Sequence, residues 1–253
     1  MDMATQLSKQ AISISVIIPT RNEAPNLQYV LPHIPDYVRE VILVDGHSTD
    51  NTIAEAQRLC PDIRVVEQTG KGKGDALRLG LASATGDIVV LLDADGSADP
   101  REITRFVSAL LVGNDFAKGS RFLKGGGNHD ITLVRRFGNY ALIWLVNMLF
   151  NARFTDLCYG YNVFWKHCLN HVNIDSAGFE VETQINIRMH MAGLKIAEVP
   201  SVEYPRIHGT SNLNAVKDGW RILKLIIQER SAGKQQSAAP VVQQQPVPEE
   251  AIV

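Results

Sequence analysis

The chain has 253 residues, enough for one large domain or two small ones around a sizeable core. A net charge of −2 and a pI near 6.4 give no bulk electrostatic case for nucleic acid. Cys60, Cys158 and Cys168 are too scattered for a disulfide framework, residues 1–10 lack the apolar centre of a signal peptide, and no window reaches the roughly 18 apolar residues of a membrane span.

In chain order, residues 1–11 are polar and are expected to be disordered. Residues 12–18 begin by alternating and end apolar, as a strand entering a sheet interior does. The polar loop Pro19-Thr20-Arg21-Asn22-Glu23-Ala24-Pro25 follows, then a second apolar strand, Val41-Ile42-Leu43-Val44, which runs into Asp45-Gly46-His47-Ser48-Thr49-Asp50. Asp45 is acceptor-only, suited to a nucleobase edge or a ribose, or alternatively to an Asx-turn beside Gly46. A helix with Ile53, Ala56 and Cys60 on one face leads to a short strand over 63–66. Gly70-Lys71-Gly72-Lys73-Gly74-Asp75 then opens a helix with Leu77, Leu81 and Ala84 at i, i+4 and i+7. Its order is not that of a P-loop, nor does it follow the first strand as a dinucleotide fingerprint would, yet helix-start amides and Lys73 suit a phosphate.

The fourth strand, Val89-Val90-Leu91-Leu92, ends abruptly in Asp93-Ala94-Asp95-Gly96-Ser97-Ala98-Asp99-Pro100. Ligands of open α/β sheets gather outside the carboxyl ends of strands, where Asp93 and Asp95 fall. Two carboxylates there need compensation, and a divalent cation bridged to substrate phosphates supplies it. Asp99-Pro100 starts a helix carrying Ile103, Phe106, Val107, Leu110 and Leu111 on one face. Strand and helix thus alternate to about residue 120, which predicts an α/β fold with a mainly parallel central sheet and helices on both faces.

The second half changes character. Residues 116–122 read as a strand ending in Arg121, and the glycine-rich stretch 124–130 as a lid. Residues 131–150 read as a helix, either buried in the core or lying in a membrane interface between Arg135, Arg136 and Arg153. The aromatic-rich segment 156–166 suits an acceptor-side wall, and Gly178-Phe179-Glu180-Val181-Glu182 starts a further helix. A strand over 195–204 leads into Pro205-Arg206-Ile207-His208-Gly209-Thr210-Ser211-Asn212, too polar for a mere connector. In the last helix, 213–229, Leu213, Val216, Trp220, Leu223 and Ile227 are expected to pack on the body, leaving Lys217, Arg221 and Lys224 to solvent. Residues 231–253 are Gln-, Pro- and Ala-rich and are expected to be disordered.

With those residues placed, the sequence resembles a family-2 glycosyltransferase of the GT-A (Rossmann-like) fold. Four segments carry the resemblance: Val16-Ile17-Ile18-Pro19-Thr20-Arg21-Asn22-Glu23, Val44-Asp45-Gly46-His47-Ser48-Thr49-Asp50, Gly72-Lys73-Gly74-Asp75-Ala76 and Asp93-Ala94-Asp95-Gly96. The resemblance implies a domain over 12–230, with a nucleotide half (12–120) and an acceptor half (121–230). It implies an inverting transferase using a UDP- or GDP-linked sugar and Mg²⁺ or Mn²⁺. Pro19, Glu23 and Asp45 would line the nucleoside pocket, Arg21 and Ser48 of the same loops are further substrate-binding candidates, Lys73 would lie near the nucleotide, and Asp93 and Asp95 would hold metal and diphosphate.

The second half is most similar to polyprenyl-phosphate (dolichol-phosphate) hexosyl synthases, in Gly119-Ser120-Arg121, Arg135-Arg136, Thr155-Asp156-Leu157, Gly178-Phe179-Glu180-Val181-Glu182 and Arg206 followed by Gly209 and Ser211. That likeness implies arginines (Arg121, Arg135, Arg206) and Ser211 on an acceptor phosphate. Asn212 stands where those enzymes have lysine, and Cys158-Tyr159-Gly160-Tyr161 where they have Ser-Gly-Phe-Arg. A hydroxyl acceptor would instead need a base, for which Glu182 leads over Asp156 and Glu180. His208 is a candidate third metal ligand. The expected setting is cytoplasmic, with peripheral association at the inner face of a membrane; a nucleotide-sugar-binding protein without turnover is the alternative of another class.

Overall fold

The structure, a computed structural model, describes residues 3–129, 131–210 and 213–238. Its centre is a seven-stranded sheet in the order β3-β2-β1-β4-β7-β5-β8. The strands are β1 (Ile14–Thr20), β2 (Glu40–Asp45), β3 (Arg64–Glu67), β4 (Ile88–Leu91), β5 (Phe116–Ser120), β7 (Asn162–Trp165) and β8 (Ile196–Pro200). A separate two-stranded ribbon joins β6 (Gly127–Asn128) to β9 (Val202–Glu203). The helices are α1 (Met3–Gln10), α2 (Thr52–Leu59), α3 (Lys73–Ser83), α4 (Ile103–Leu111), α5 (Leu133–Phe150), α6 (Val181–Met191) and α7 (Ala215–Ala238).

Period-two alternation explains the layering. In β1 and β4, Val16, Ile18 and Val90 point to one face and pack with Ile103, Phe106 and Leu110 of α4. Ile17, Val89 and Leu91 point to the other, against Ala76, Leu77 and Leu81 of α3 and Ile185 and Met189 of α6. Strands buried on both faces read as continuous apolar runs, which is why 88–92 does. The expected α/β architecture is therefore present. It has one exception to the parallel rule: β7, within the segment read as an aromatic wall, inserts antiparallel between β4 and β5.

Several elements differ from the sequence reading. Residues 3–10, expected to be disordered, form α1, anchored by Leu7 in the core. The strand expected over 195–204 breaks at the fully buried Ser201 into β8 and β9, which belong to different sheets. The stretch expected to act as a lid is tied down instead: Gly127 pairs with Val202 and Asn128 with Glu203, and Asp130 lies outside the described residues. The last helix runs on to Ala238, past the expected end near 230; the rest of the expected tail, 239–253, also lies outside.

The face of α7 is also reversed. Ile222, Leu225 and Ile226 point inward with Asp218 and Glu229, while Val216 and Trp220 are about two-thirds exposed. Polar groups on the inner face hid it. Asp218 is used by the Asn214 amide and Arg221, and Glu229 by Arg188, so both carboxylates are satisfied where apolar residues were expected. Helix α5 is core on one side only: Ile143 and Val146 are buried, and its opposite side is open.

Candidate active site

A cleft of about 890 Å³ opens at the carboxyl ends of β1, β2 and β4, where the chain leaves the sheet. Pro19 at the end of β1 lines it with Arg21 and Glu23 just beyond, as do Gly46 and His47 after β2 and Asp93, Asp95 and Ser97 after β4. Short loops between parallel strands and their helices bring these segments together although they lie up to 78 positions apart.

Two cations sit against the acidic pair. Lys73, at the first position of α3, places Nζ 2.6 Å from Asp93 Oδ1 and 2.6 Å from Glu182 Oε1. Burial alone would lower the lysine's pKa; the two carboxylates outweigh it and hold the ammonium charged well above its ordinary range. Glu182 is pushed upward, chiefly by burial and further by Asp93, against the pull of Lys73. Gly160 lies over this cluster: a Cβ there would meet Asp93 Oδ2 at 2.7 Å, Glu182 Oε1 at 2.9 Å and Lys73 Nζ at 2.9 Å. A side chain at this position would have to displace the ends of those three side chains.

Asp95 belongs to the second cluster. Its Oδ1 accepts the Ser97 amide at 3.0 Å across a turn in which Gly96 has φ +76°, and its Oδ2 lies 3.4 Å from Arg206 Nη1. Arg206 also pairs with Glu23 and donates from Nε to the His208 carbonyl at 2.7 Å. Burial raises the pKa of Glu23 in spite of hydrogen bonds from Asn26 and Arg206. Arg135, in the first turn of α5, and Leu213, just before α7, complete the rim of the cleft.

The expected site residues thus divide. Pro19, Arg21, Glu23, Lys73, Asp93, Asp95, Arg135, Glu182 and Arg206 line one cleft. Asp45 is buried behind Gly46; its Oδ2 accepts the Ser48 amide and its Oδ1 has no hydrogen-bond partner among the described residues. Ser48 itself ties the β1 and β2 loops together by accepting the Asn22 amide at 2.9 Å, and is not part of the lining. Ser211 lies outside the described residues.

Three expectations are corrected. Asp156 is fully buried and grips Arg121 with both oxygens, 2.7 Å to Nε and 2.8 Å to Nη2, so neither stands in the cleft as base or phosphate holder. Arg121 Nη1 goes to Glu203 at 2.9 Å, which links the buried pair to a carboxylate of the cleft lining. His208 does not meet Asp93 and Asp95. Its ring leans on Tyr29, its backbone is pinned by Asn26, and among the described residues of that loop Arg206 is the side chain that enters the cleft. Among the described residues no three His, Cys, Asp or Glu side chains converge on a preformed metal site. The helix-start amides expected to face a phosphate are used too: Gly74 N and Asp75 N both donate to the Ala177 carbonyl.

Gly160, Gln68 and Glu203 were not anticipated in the site. Gln68 fastens the glycine-rich loop by donating to the Gly72 carbonyl and Asp75. The signal for Gly160 was a glycine flanked by tyrosines in a segment read only as a wall. Nothing in the string marks Glu203.

Comparison with known proteins bears on the chemistry. Residues 15–173 match the model of Glycosyl transferase family 2. The chain is 31% identical over 217 residues to glycosyltransferase AglJ of Haloferax volcanii, covering 82% of this chain and 68% of that protein. It is 30% identical over 212 residues to dolichol-phosphate mannosyltransferase of Pyrococcus furiosus, covering 80% of this chain but only 59% of that protein, less than two-thirds of its length. In fold it is similar to glucosyl-3-phosphoglycerate synthase of Mycobacterium tuberculosis, solved with Mn²⁺, UDP and glucosyl-3-phosphoglycerate. That similarity has a TM-score of 0.73 at 24% identity and covers 91% of this chain and 85% of that one. With more than half its residues matched by one family model, and the acidic loop seated at the strand tips, the chain belongs to glycosyl transferase family 2.

Proposed function

We propose that the protein transfers a hexosyl group, with inversion, from a nucleoside-diphosphate sugar to a polyprenyl phosphate at a membrane surface. The observation that carries this reading is the pairing of the acidic loop with two cations, Lys73 on Asp93 and Arg206 on Asp95, inside one cleft. The donor is held by the half built from 12–120 and the acceptor by 121–230. Asp45 Oδ1, a buried acceptor just behind Gly46 of the cleft lining, suits a nucleobase donor group that reaches past that glycine. A UDP-linked sugar is the first choice, after the ligand of the structural neighbour.

The donor set fits Mg²⁺ or Mn²⁺. Two carboxylates at one strand tip, with no third protein ligand among the described residues, is the arrangement Mg²⁺ takes when phosphate oxygens supply the remainder. When bound, such an ion would neutralise charge on the departing diphosphate, with Asp93 and Asp95 holding it. The chain's own cations act on the same charge: Lys73 and Arg206 are already fixed where negative charge builds, so little reorganisation is needed. A phosphate acceptor arrives ionised and needs positioning rather than a base, which the Arg135 guanidinium on the rim supplies. The Pyrococcus relative is named for such an acceptor. For a hydroxyl acceptor, Glu182 is the one of the three candidate carboxylates that lines the cleft.

The test is a panel of UDP- and GDP-sugars scored for nucleoside diphosphate release against polyprenyl phosphate, phosphoglycerate and neutral sugars, with and without Mn²⁺. Release with polyprenyl phosphate, lowered about a thousandfold by Asp95→Ala, is expected. Release only with water-soluble acceptors would replace the acceptor; undiminished turnover in Asp95→Ala would overturn the site.

A further inference from the structure

Two helices of the acceptor half are apolar on both sides. On α5, Leu133, Phe137, Tyr140, Trp144 and Met148 recur at spacings of four, three, four and four, a single helical face. Phe137 is 71% exposed and Trp144 64%. On α7, Val216, Trp220 and Ile227 form a second outward stripe, with Trp220 68% exposed. The inward faces of both helices, Ile143 and Val146 on α5 and Ile222 and Ile226 on α7, meet in one core cluster. The helices therefore lie side by side. An exposed apolar area of this extent, rimmed by polar groups, marks an interaction surface.

Charge selects the partner. The charged residues of α5 are Arg135 and Arg136, both basic. On the described part of α7 the two carboxylates, Asp218 and Glu229, are buried and paired, while Lys217, Arg221, Lys224 and Arg230 are exposed. The outward surface is thus apolar, aromatic and cationic, without an exposed carboxylate on either helix. A second copy docked face to face would set cation against cation. A bilayer of anionic phospholipid meets every feature: acyl chains for the aliphatic residues, the headgroup zone for Trp144, Trp220 and Tyr140, and phosphates for the basic flank.

We propose that the outward faces of α5 and α7 together form a docking surface for an anionic phospholipid bilayer. The surface begins at the cleft, because Arg135 and Leu213 on its rim stand at the starts of these two helices. Among the described residues no helix is long and apolar enough to cross a membrane, so attachment here is interfacial. As a route for a lipid-linked acceptor, this surface rests on the function proposed above; as a lipid-binding surface it is tested without it.

The experiment is sedimentation of the purified full chain with phosphatidylcholine vesicles, with and without phosphatidylglycerol, alongside its Trp144→Ser/Trp220→Ser double variant. Expected are binding to the anionic vesicles that weakens with salt, and a loss of about tenfold or more in the variant. Quenching of Trp fluorescence by brominated lipid, absent in the variant, should accompany it. Both side chains are exposed, so the variant should keep its melting temperature; should it not fold, Phe137→Ser with Ile227→Ser replaces it. No binding to anionic vesicles by the wild type overturns the proposal, as does a dimer that the variant dissociates. Vesicle binding together with turnover only on soluble acceptors leaves the docking surface standing and removes the polyprenyl phosphate. Turnover on polyprenyl phosphate without vesicle binding does the reverse.

Discussion

The molecule contains two acid–base–acid clusters of similar make-up and opposite use. Asp93, Lys73 and Glu182 line the cleft, with side chains 34%, 12% and 10% exposed. In the second cluster Asp156 and Arg121 are closed off, 0% and 3% exposed, and only Glu203, 19% exposed, reaches the cleft lining. The basic residue differs accordingly. Arginine presents several donors in a fixed fork and fills a closed site with bidentate bonds, whereas lysine is a point charge on a flexible stem that can follow a ligand. Residue type alone therefore does not separate a working carboxylate from a structural one; access to solvent does.

Removing one member of each cluster breaks the comparison in different observables. The largest effect on stability is expected from Asp156→Asn, which leaves the Arg121 charge buried with half its compensation and should cost about 3–5 kcal/mol in denaturant unfolding. Burial opposes ionisation of Asp156, but Arg121 outweighs it and depresses its pKa below the ordinary 3.8. The stabilisation is thus present above that value and is lost as pH falls through the depressed one, so the gap between wild type and variant should close in acid. Lys73→Met should do the converse, lowering turnover about a hundredfold while shifting the unfolding midpoint little. If Lys73→Met unfolded the protein and Asp156→Asn spared it, the assignment of the two clusters would be inverted.

Smaller changes sharpen the contrast. Gly160→Ala forces a methyl against the cleft cluster and should cut turnover about tenfold, on the general scale of a misplaced site, with the circular dichroism spectrum unchanged. His208→Ala should change the Mn²⁺ concentration for half-maximal activity less than about twofold, since imidazole ligation would be worth far more. A tenfold shift there would return the histidine to the metal shell.

The nucleotide half was largely legible because its strands are buried on both faces and its functional groups sit at their ends, where a pattern of apolar run followed by carboxylate is visible in the string. Asp93 and Asp95 are reachable that way, and Lys73 through the glycine-rich start of its helix. The acceptor half was not. Asp156 carries the same side chain as Asp93, and only the tertiary position of Arg121 shows that it is sealed. The outward stripe of α7 looked like a core face because Val216, Trp220 and Ile227 keep helical spacing, while the true inner face carries Asp218 and Glu229, whose partners Arg221 and Arg188 satisfy them. His208 drew attention as a metal ligand; the loop geometry that turns Arg206 inward instead depends on contacts with Glu23 and Asn26, some 180 positions away.

The antiparallel insertion of β7 has a consequence for synthesis on the ribosome. Strand β4 pairs on one side with β1, which has already emerged, and on the other with Asn162–Trp165, which emerges some seventy residues later. Until then the strand that bears the acidic loop has a row of unpaired amides and carbonyls and an apolar face on each side, the features that invite pairing with a stranger chain. A nascent polypeptide halted near residue 120 should therefore recruit chaperones and aggregate once released, rather than fold as an independent nucleotide-binding module.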